Sequence, residues 1–348
     1  MPIMTRPSRI TAIGFRLAVL IALFSLGHAP AHAVETLPTA PRADLRLATW
    51  NLEWLIAPED FRGLAKSCVP RGAPRGPARR SIPCNVVDRL ERSRIDFRAL
   101  AEVTRELKAD VIALQEVDGP RAAKRVFRNH DFCFAADEGV QKVGFAIRRG
   151  LPHRCLPDFI ELSLGGRVRR GAVIVLYPDD PREMYLMAVH LKASCPRRAL
   201  DDPNPNCATL AKQVPILEAW IDEQAAAGRR FGILGDFNHD FSTRGPARNE
   251  AGQLRSFWAE INDGEPQGAA LINPSEGKRF INCSPAHNYS SYIDHVVLSE
   301  RLAEWRAPDS FLRLPFKPKS ALQRKLSDHC PVGVDLRWPS ELNLGSRR

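Results

Sequence analysis

The 348-residue sequence predicts an α/β fold in which packed β-sheets carry helices on their outer sides. Apolar runs rich in β-favouring residues are numerous, whereas only two long segments repeat their apolar residues at helical intervals. A hydrophobic content of 44% is sufficient for a large core and argues against disorder. Because neither an internal repeat nor a long low-complexity linker interrupts the pattern, we expect a single domain.

The elements follow one another in a mixed order. Helical periodicity is found at 94–108 and at 208–227, where Gly228 provides a stop signal. The predicted strands are 45–52, 111–117, 144–148, 172–177, 184–191, 231–234, 293–298 and 332–336.

The first 33 residues are typical of an export signal. Arg6 and Arg9 give a positive start, residues 17–26 form an uncharged apolar run, and Ala31-His32-Ala33 resembles a cleavage site. The alternative is a membrane anchor, which needs about 20 apolar residues, and this run is too short. We therefore expect residues 34–348 to be secreted or periplasmic, with no stable membrane span and no implied protein partner.

Eight cysteines remain after removal of this segment, and an even number in an exported chain indicates disulfides. Neighbouring cysteines would each close a short polar loop, and the remaining two would join segments that carry candidate site residues. The expected pairs are Cys68–Cys84, Cys133–Cys155, Cys195–Cys207 and Cys283–Cys330. A structural zinc site is the competing interpretation, but the close Cys-x-x-Cys spacing is missing.

The formal net charge of +10 favours polyanionic partners such as nucleic acid or an anionic membrane surface. Residues 66–85 are rich in arginine, proline and glycine and are flanked by two cysteines. We expect an inserted, exposed, basic disulfide loop here. Contact with a polyanion and a solvated loop without a partner are both consistent with this composition.

Residues that can take part in catalysis stand at the ends of apolar strands. Gathering such groups at one rim of a sheet costs less than burying each of them separately in a core. They are Asn51, Glu53, Glu116, His190, Asp236, Asn238, Asp294, His295, Asp328 and His329. A single Asp or Asn after a strand is more often a turn former than a catalytic residue.

Two of these stretches are more specific. In Gly-Asp-Phe-Asn (235–238), glycine permits an unusual backbone angle, and the two-residue spacing directs Asp236 and Asn238 to the same side of an extended chain. Ser-Asp-His (327–329) combines a carboxylate and an imidazole just before an apolar strand.

Six stretches in order resemble the endonuclease/exonuclease/phosphatase superfamily, which includes deoxyribonucleases, abasic-site endonucleases, sphingomyelinases and inositol-polyphosphate 5-phosphatases. They are Ala-Thr-Trp-Asn-Leu-Glu (48–53), Leu-Gln-Glu-Val (114–117), Val-His-Leu-Lys (189–192), Leu-Gly-Asp-Phe-Asn (234–238), Tyr-Ile-Asp-His-Val (292–296) and Leu-Ser-Asp-His-Cys-Pro-Val (326–332). The resemblance implies a four-layer α/β sandwich: two mixed β-sheets face to face, with helices on both outer sides.

The resemblance also implies a metal-dependent phosphodiester hydrolase. Its metal ligands would be Asn51, Glu116 and Asp328, whose oxygen atoms suit Mg²⁺, with Mn²⁺ as a substitute, better than zinc. Glu53 would contribute directly or through water.

The same resemblance implies roles in water activation and phosphate binding. Asp236 would orient or deprotonate the attacking water, and Asn238 and His190 would donate hydrogen bonds to the phosphate. His329 would do so from the other side, oriented by Asp294. Which of Asp236 and the two histidines is the acid or the base stays open.

Arg169 matches an arginine that contacts phosphate in nuclease members. Arg167 and Arg170 are close enough to share that assignment, and a solvated basic turn is the alternative. His239, His287 and His295 lie beside matched positions and are expected to make only local hydrogen bonds.

One catalytic set serves several substrates in this superfamily, so the motifs indicate the reaction better than the substrate. The basic charge favours nucleic acid, DNA or RNA, as substrate. A lipid or small-molecule phosphoesterase is the main alternative, and a non-catalytic binding protein on the same scaffold is a third.

Overall fold

A computed structural model describes residues 44–70, 80–242, 256–285, 287 and 289–340. These residues belong to one compact unit. The described strands are β1 Leu45–Leu55, β2 Val111–Val117, β3 His130–Phe134, β4 Lys142–Arg148, β5 His153–Cys155, β6 Ala172–Leu176, β7 Met184–His190, β8 Phe231–Asp236, β9 Leu271–Ile272, β10 Asp294–Ser299, β11 Leu312–Arg313 and β12 Val332–Leu336. The helices are α1 Pro58–Ala65, α2 Cys84–Leu90, α3 Arg94–Leu107, α4 Pro120–Ala123, α5 Pro205–Ala226, α6 Phe257–Ile261, α7 Glu300–Ala303 and α8 Pro318–Gln323.

The described strands form two six-stranded mixed sheets with the same plan. The first has the order β3-β4-β2-β1-β12-β11 and the second the order β5-β6-β7-β8-β10-β9. In each, a central parallel pair (β1 with β2, β7 with β8) is flanked by antiparallel strands. The carboxyl ends of the parallel strands therefore share one edge of each sheet with the amino ends of β12 and β10.

Alternating side chains divide the core into layers. Leu47 of β1 and Leu186 of β7 belong to one buried cluster that lies between the sheets. The next residue of each strand faces outward: Ala48 packs in the cluster that includes Leu100 of α3, and Met187 packs in the cluster that includes residues of α5. The four-layer arrangement of two face-to-face mixed sheets with helices on both outer sides is confirmed.

The helix α3 was predicted at 94–108 from its apolar periodicity, and its contacts explain the pattern. Ser93 caps its first turn by accepting from the Asp96 N–H, and Asp96 in turn accepts from the Ser93 N–H at 2.8 Å. Its apolar side, including Phe97 and Leu100, is buried.

Several predicted boundaries were wrong in detail. Strand β1 continues to Leu55, beyond the expected end at Leu52, and α5 begins three residues early at Pro205, after the Asn204 cap. Strand β3 was missed because its residues are only partly buried and show no clear apolar run. Of the predicted basic loop, residues 71–79 lie outside the described part, and α2 begins at Cys84.

All four expected cysteine pairs are confirmed at disulfide distance: Cys68–Cys84, Cys133–Cys155, Cys195–Cys207 and Cys283–Cys330. The export signal predicted for residues 1–33 lies outside the described residues and stays a prediction. In the part of the chain that the structure describes, no helix combines the length and the apolar character that crossing a membrane requires.

The expectation that Gly235 permits an unusual backbone angle was wrong, and the structure gives another reason for glycine at this position. It lies in β8, directly beside Val189 of the parallel strand β7, and its φ is not in the left-handed region. A Cβ atom at this position would stand 2.0 Å from the carbonyl oxygen of Val189. Close approach of two strands, rather than an unusual backbone angle, therefore requires glycine here.

Replacing Gly235 by alanine should lower the free energy of unfolding by about 3 kcal/mol or more, because the β7–β8 pair would have to separate. Gly63→Ala is the matched control, since a Cβ there meets nothing within 4 Å and the residue lies in α1. The control should gain about 0.5 to 1 kcal/mol from helix propensity. Urea denaturation measures both, and equal stability of the two variants would contradict this account of Gly235.

Candidate active site

The sequence-predicted site residues meet at the shared edge of the two sheets. The first sheet contributes Asn51 and Glu53 from the end of β1 and Glu116 from β2. The second sheet contributes His190, Asp236 and Asp294 from β7, β8 and β10. Asp328 and His329 immediately precede β12, and Asn238 follows β8. The fold thus brings residues that are far apart in sequence to one rim.

Local backbone conformations direct these side chains. Glu53, Trp54, Glu116 and Asn238 all have φ between 45° and 59°, which is uncommon for residues other than glycine. The β1–β2 and β2–β4 registers both shift at this rim, as in a β-bulge. Glu116 is oriented further by the Trp54 N–H, which donates to its Oε2 at 3.2 Å.

Three contacts join the two sheets across the site. The Asn51 amide donates to Asp236 Oδ2 at 3.0 Å, and His329 Nδ1 donates to Asp294 Oδ2 at 2.8 Å. His190 Nε2 of the second sheet lies 3.9 Å from Glu116 Oε1 of the first. Each of these three contacts pairs a residue attached to one sheet with a residue of the other. Within its own sheet, His190 Nε2 also lies 3.5 Å from Asp236 Oδ2.

The environment separates the protonation states of the two histidines. Burial lowers the pKa of His190 well below its usual value, and the positive charges of Arg169 and His329 add to this effect. Burial alone would also lower the pKa of His329, but the carboxylates of Asp294 and Asp236 raise it well above the usual value. The environment therefore favours the neutral form of His190 and the protonated form of His329.

Burial raises the pKa of Asp236 to about 7, against the opposing effects of His329 and of the Asn51 hydrogen bond. The Asp236 Oδ1 atom accepts from the Asn238 N–H at 2.8 Å, and the Asn238 side chain donates to the carbonyl oxygen of Leu191 at 3.2 Å. Asp236 is thus held in a fixed orientation in the middle of the rim.

Two groups of side-chain atoms could hold a cation. Among the described residues, ligand atoms of Asp236, Asp294 and His329 lie within 4.8 Å of one another. The neighbouring carboxylates of Asp294 and Asp236 raise the pKa of His329, which favours the ring as a hydrogen-bond donor rather than as a ligand in this arrangement.

The second group lies on the side of the first sheet. The Asp328 N–H donates to Glu53 Oε2 at 3.1 Å, and burial and the charge of Asp328 both raise the pKa of Glu53. Arg89 offsets part of this negative charge through an ion pair with Glu53. Hard oxygen donors that repel one another in a partly buried rim suit a divalent cation.

Of the three neighbouring arginines, Arg169 faces the site. Its Nε and Nη2 atoms donate to the main chain and side chain of Gln141 at 3.0 and 2.7 Å, and the charges of Glu116 and Asp236 act on it. Arg170 lies near Asp137 and Asp158 instead, and Arg167 is exposed.

The remaining histidines make local contacts. His239 Nδ1 donates to the carbonyl oxygen of Cys195 at 2.8 Å, and His295 Nε2 donates to the carbonyl oxygen of His239 at 3.0 Å. The His295 ring stacks on Phe241. His287 lies beside the ring of Tyr289.

Sequence reasoning missed Arg92, which holds the first-sheet side of the rim together. Its buried guanidinium donates to five carbonyl oxygens, in two segments of the chain. These oxygens belong to Leu52, Glu53 and Trp54 at the end of β1 and to Lys325 and Leu326 before Asp328. An arginine just before a helix carries no sequence signal for such burial.

A cavity of about 210 Å³ opens beside the residues of the rim. It is lined by Asn238, Asp294, Asp328 and His329 together with two residues that the sequence did not indicate, Tyr289 and Arg313. The Tyr289 hydroxyl donates to Asp328 Oδ2 at 3.4 Å, and its side chain is 43% exposed. Arg313 stacks on the ring of Phe280, 4.5 Å from its centroid.

The model of the endonuclease/exonuclease/phosphatase family matches residues 48–329, which is most of the chain. The chain belongs to this family. The match runs from β1 to His329 and so includes every residue of the rim described above. No curated protein matches the sequence.

Solved structures share the fold at low sequence identity. The zebrafish (D. rerio) TDP2 complexed with a single-strand DNA product is 18% identical, with a TM-score of 0.51 and coverage of 84% of this chain and 99% of that one. A humanised D. rerio TDP2 with 14 mutations is 16% identical, with a TM-score of 0.52 and the same coverage. TDP2 from C. elegans is 12% identical, with a TM-score of 0.51 and coverage of 84% and 75%.

Replacing Arg92 by methionine should lower the free energy of unfolding by about 3 kcal/mol, because five buried or partly buried carbonyl oxygens lose their donor. Arg94→Met is the control, since Arg94 is exposed two residues further along. This change should alter stability by no more than about 0.5 kcal/mol. Chemical denaturation of both variants measures this difference. An Arg92 variant as stable as the Arg94 control would contradict the structural role given to Arg92.

Proposed function

We propose that this protein is a divalent-metal-dependent phosphodiesterase whose preferred substrate is nucleic acid. The observation that carries the proposal is the meeting of the two sheets at one rim, where oxygen ligands of the first sheet lie opposite an oriented carboxylate and two histidines. Hydrolysis of a phosphodiester needs these components together: a cation, an activated water and donors to the phosphate oxygens.

Asn51, Glu116 and Asp328 would hold the cation, with Glu53 beside them. Mg²⁺ is the ion that fits this set best, and Mn²⁺ would substitute, because all the donors are amide or carboxylate oxygens. When bound, the ion would neutralise charge that develops on the phosphate. The mutual repulsion of Glu53 and Asp328 supports a site for positive charge here.

Asp236 would orient the attacking water and take its proton. Its fixed position supports this role, as does a pKa of about 7, near the pH at which a general base is most effective. Neutral His190, Asn238 and Arg169 would bind phosphate oxygens. The His329 imidazolium, oriented by Asp294, would donate a hydrogen bond from the opposite side and stabilise the leaving oxygen.

Three features favour nucleic acid among the phosphodiesters that such a site can cleave. The chain keeps a net positive charge after Arg6, Arg9 and Arg16 of the predicted leader are discounted from the total of +10. Arg169 faces the rim, and the adjoining cavity presents Tyr289, an exposed aromatic ring on which a base can stack. The four disulfides and the leader predicted for residues 1–33 support an extracellular or periplasmic location.

A lipid or small-molecule phosphoesterase is the second candidate function. The observation that favours it is the exposure of Ile281, at 52%, and of Tyr289 in the same short segment beside the site. Two exposed apolar side chains near the rim could contact a lipid surface.

Parallel assays of the oxidised mature chain on plasmid DNA, RNA, sphingomyelin and a soluble inositol phosphate test the proposal. Each substrate is offered with Mg²⁺ and with a chelator. We expect metal-dependent cleavage of DNA or RNA that decreases as salt is added. Turnover of lipid or inositol phosphate with intact nucleic acid would favour the second candidate, and metal-independent activity would contradict the cation site.

Removing Glu116 or His329 should abolish turnover while the fold is retained. We expect Glu116→Ala and His329→Ala each to lower the cleavage rate by about 10² to 10⁴. Glu223→Ala, an exposed carboxylate on α5, is the control and should keep full activity. Near-normal rates in both site variants, with circular dichroism unchanged in all three, would show that the chemistry lies elsewhere.

A further inference from the structure

We propose that the outer face of the first sheet carries a second binding site for the nucleic acid backbone, separate from the catalytic rim. The site is an elongated groove beside α3, made of three adjoining hollows of about 290, 610 and 290 Å³. Pro58 and Arg94 line both the first and the second hollow, and Ile95 and Arg98 line both the second and the third. We call this surface the outer groove.

Positive charge dominates the outer groove. Its basic lining residues include Arg62, Arg94, Arg98, Arg128, Lys319 and Arg324. Within the described parts of the chain, none of these six lies within ion-pair distance of a carboxylate. Glu91 and Glu102 are the acidic residues of the lining, and Glu102 lies 3.7 Å from Arg105. A concave surface with several unneutralised guanidinium groups fits the phosphates of a polyanion.

The position of one of these arginines opposes local helix stability. Arg94 is the first residue of α3, where the helix dipole favours negative rather than positive side chains. Its side chain gains no ion pair with a described carboxylate in return. An unfavourable charge at a helix start that no contact within the chain compensates is typical of a residue that serves binding.

The groove begins at the same edge as the catalytic rim. Because α3 connects the parallel strands β1 and β2, it runs opposite to them and starts at their carboxyl ends. Arg92, just before α3, donates to the carbonyl oxygen of Glu53 at 2.9 Å. A nucleic acid bound at the rim can therefore continue onto the outer groove. The concave shape favours a strand over a flat bilayer.

This inference rests on the proposed function in one respect, the identity of the ligand as nucleic acid. Binding of nucleic acid can be measured without turnover. The full oxidised chain is titrated, in chelator, into a labelled long DNA duplex and a labelled short oligonucleotide at several salt concentrations. The groove variant is the double substitution Arg98→Glu/Arg128→Glu. Its control is the double substitution Lys212→Glu/Arg301→Glu, which changes the net charge by the same amount on α5 and α7, helices that pack on the second sheet. Arg98→Gln/Arg128→Gln serves as a milder version.

We expect the groove variants to bind the long duplex about tenfold more weakly and to lower the salt dependence by about two units of slope. The Lys212/Arg301 variant should bind as the unmodified chain does. Turnover of a small chromogenic phosphodiester with Mg²⁺ should be unchanged in all of them if the catalytic proposal holds. Absence of that turnover in the unmodified chain would contradict the proposed function alone.

Equal loss of affinity in the groove and control variants would overturn the proposal, because it would show a general charge effect. Unchanged duplex binding in both groove variants would overturn it as well. If the groove variants instead lost binding to phosphatidylserine vesicles while keeping that of DNA, the groove would be a membrane contact and the nucleic acid site would be refuted.

Discussion

The rim of candidate site residues depends on the alignment of two sheets whose edges face each other. Neither sheet alone carries all of the candidate residues: the first supplies Asn51 and Glu116, and the second supplies His190 and Asp236. Face-to-face packing of apolar residues such as Leu47 and Leu186 fixes the distance between the sheets. The polar contacts across the rim, Asn51 to Asp236 and His329 to Asp294, then form at hydrogen-bond distance. The apolar core thus determines the geometry of the chemistry at its edge.

Residues with unfavourable backbone angles and buried charged side chains are concentrated at this rim. Left-handed backbone at Glu53, Glu116 and Asn238 costs stability, and so does the desolvation of the Asp236 carboxylate and of the Arg92 guanidinium, which its five hydrogen bonds offset. The sandwich offsets these costs because its two sheets and four disulfides hold the backbone on either side. Such clustering is expected where a fold is adapted to a function.

The sequence was sufficient for features that depend on local pattern. Strands β2 and β12 were predicted with their observed ends because continuous apolar runs mark them. Three cysteine pairs were predicted from short spacing, and Cys283–Cys330 as the remaining pair that joins two segments with candidate site residues. The ordered motifs identified the family and the residues that meet at the rim. Prediction was weaker where polar residues continue a strand, as in β1 beyond Leu52, or where a strand is half exposed, as in β3.

Features that arise only from tertiary contacts could not be predicted. Nothing in the sequence distinguishes the buried Arg92 from the exposed Arg94, because the difference is whether carbonyl oxygens from two distant segments surround the side chain. Arg169 could not be separated from Arg167 and Arg170 for the same reason. Gly235 was identified correctly as special, but the close neighbour that requires it lies on β7, 46 residues earlier.

In the proposed function, the site divides into a cation side on the first sheet and a proton-carrying side formed by Asp236, Asp294 and His329. A crystal structure of the chain soaked with Mn²⁺, with anomalous diffraction measured at the manganese edge, tests this division most directly. The account predicts an anomalous peak within coordination distance of oxygen atoms of Asn51, Glu116 and Asp328, and none bound to the His329 ring. A peak coordinated by Asp236, Asp294 and His329 would contradict it, because His329 would then be a neutral ligand rather than an imidazolium.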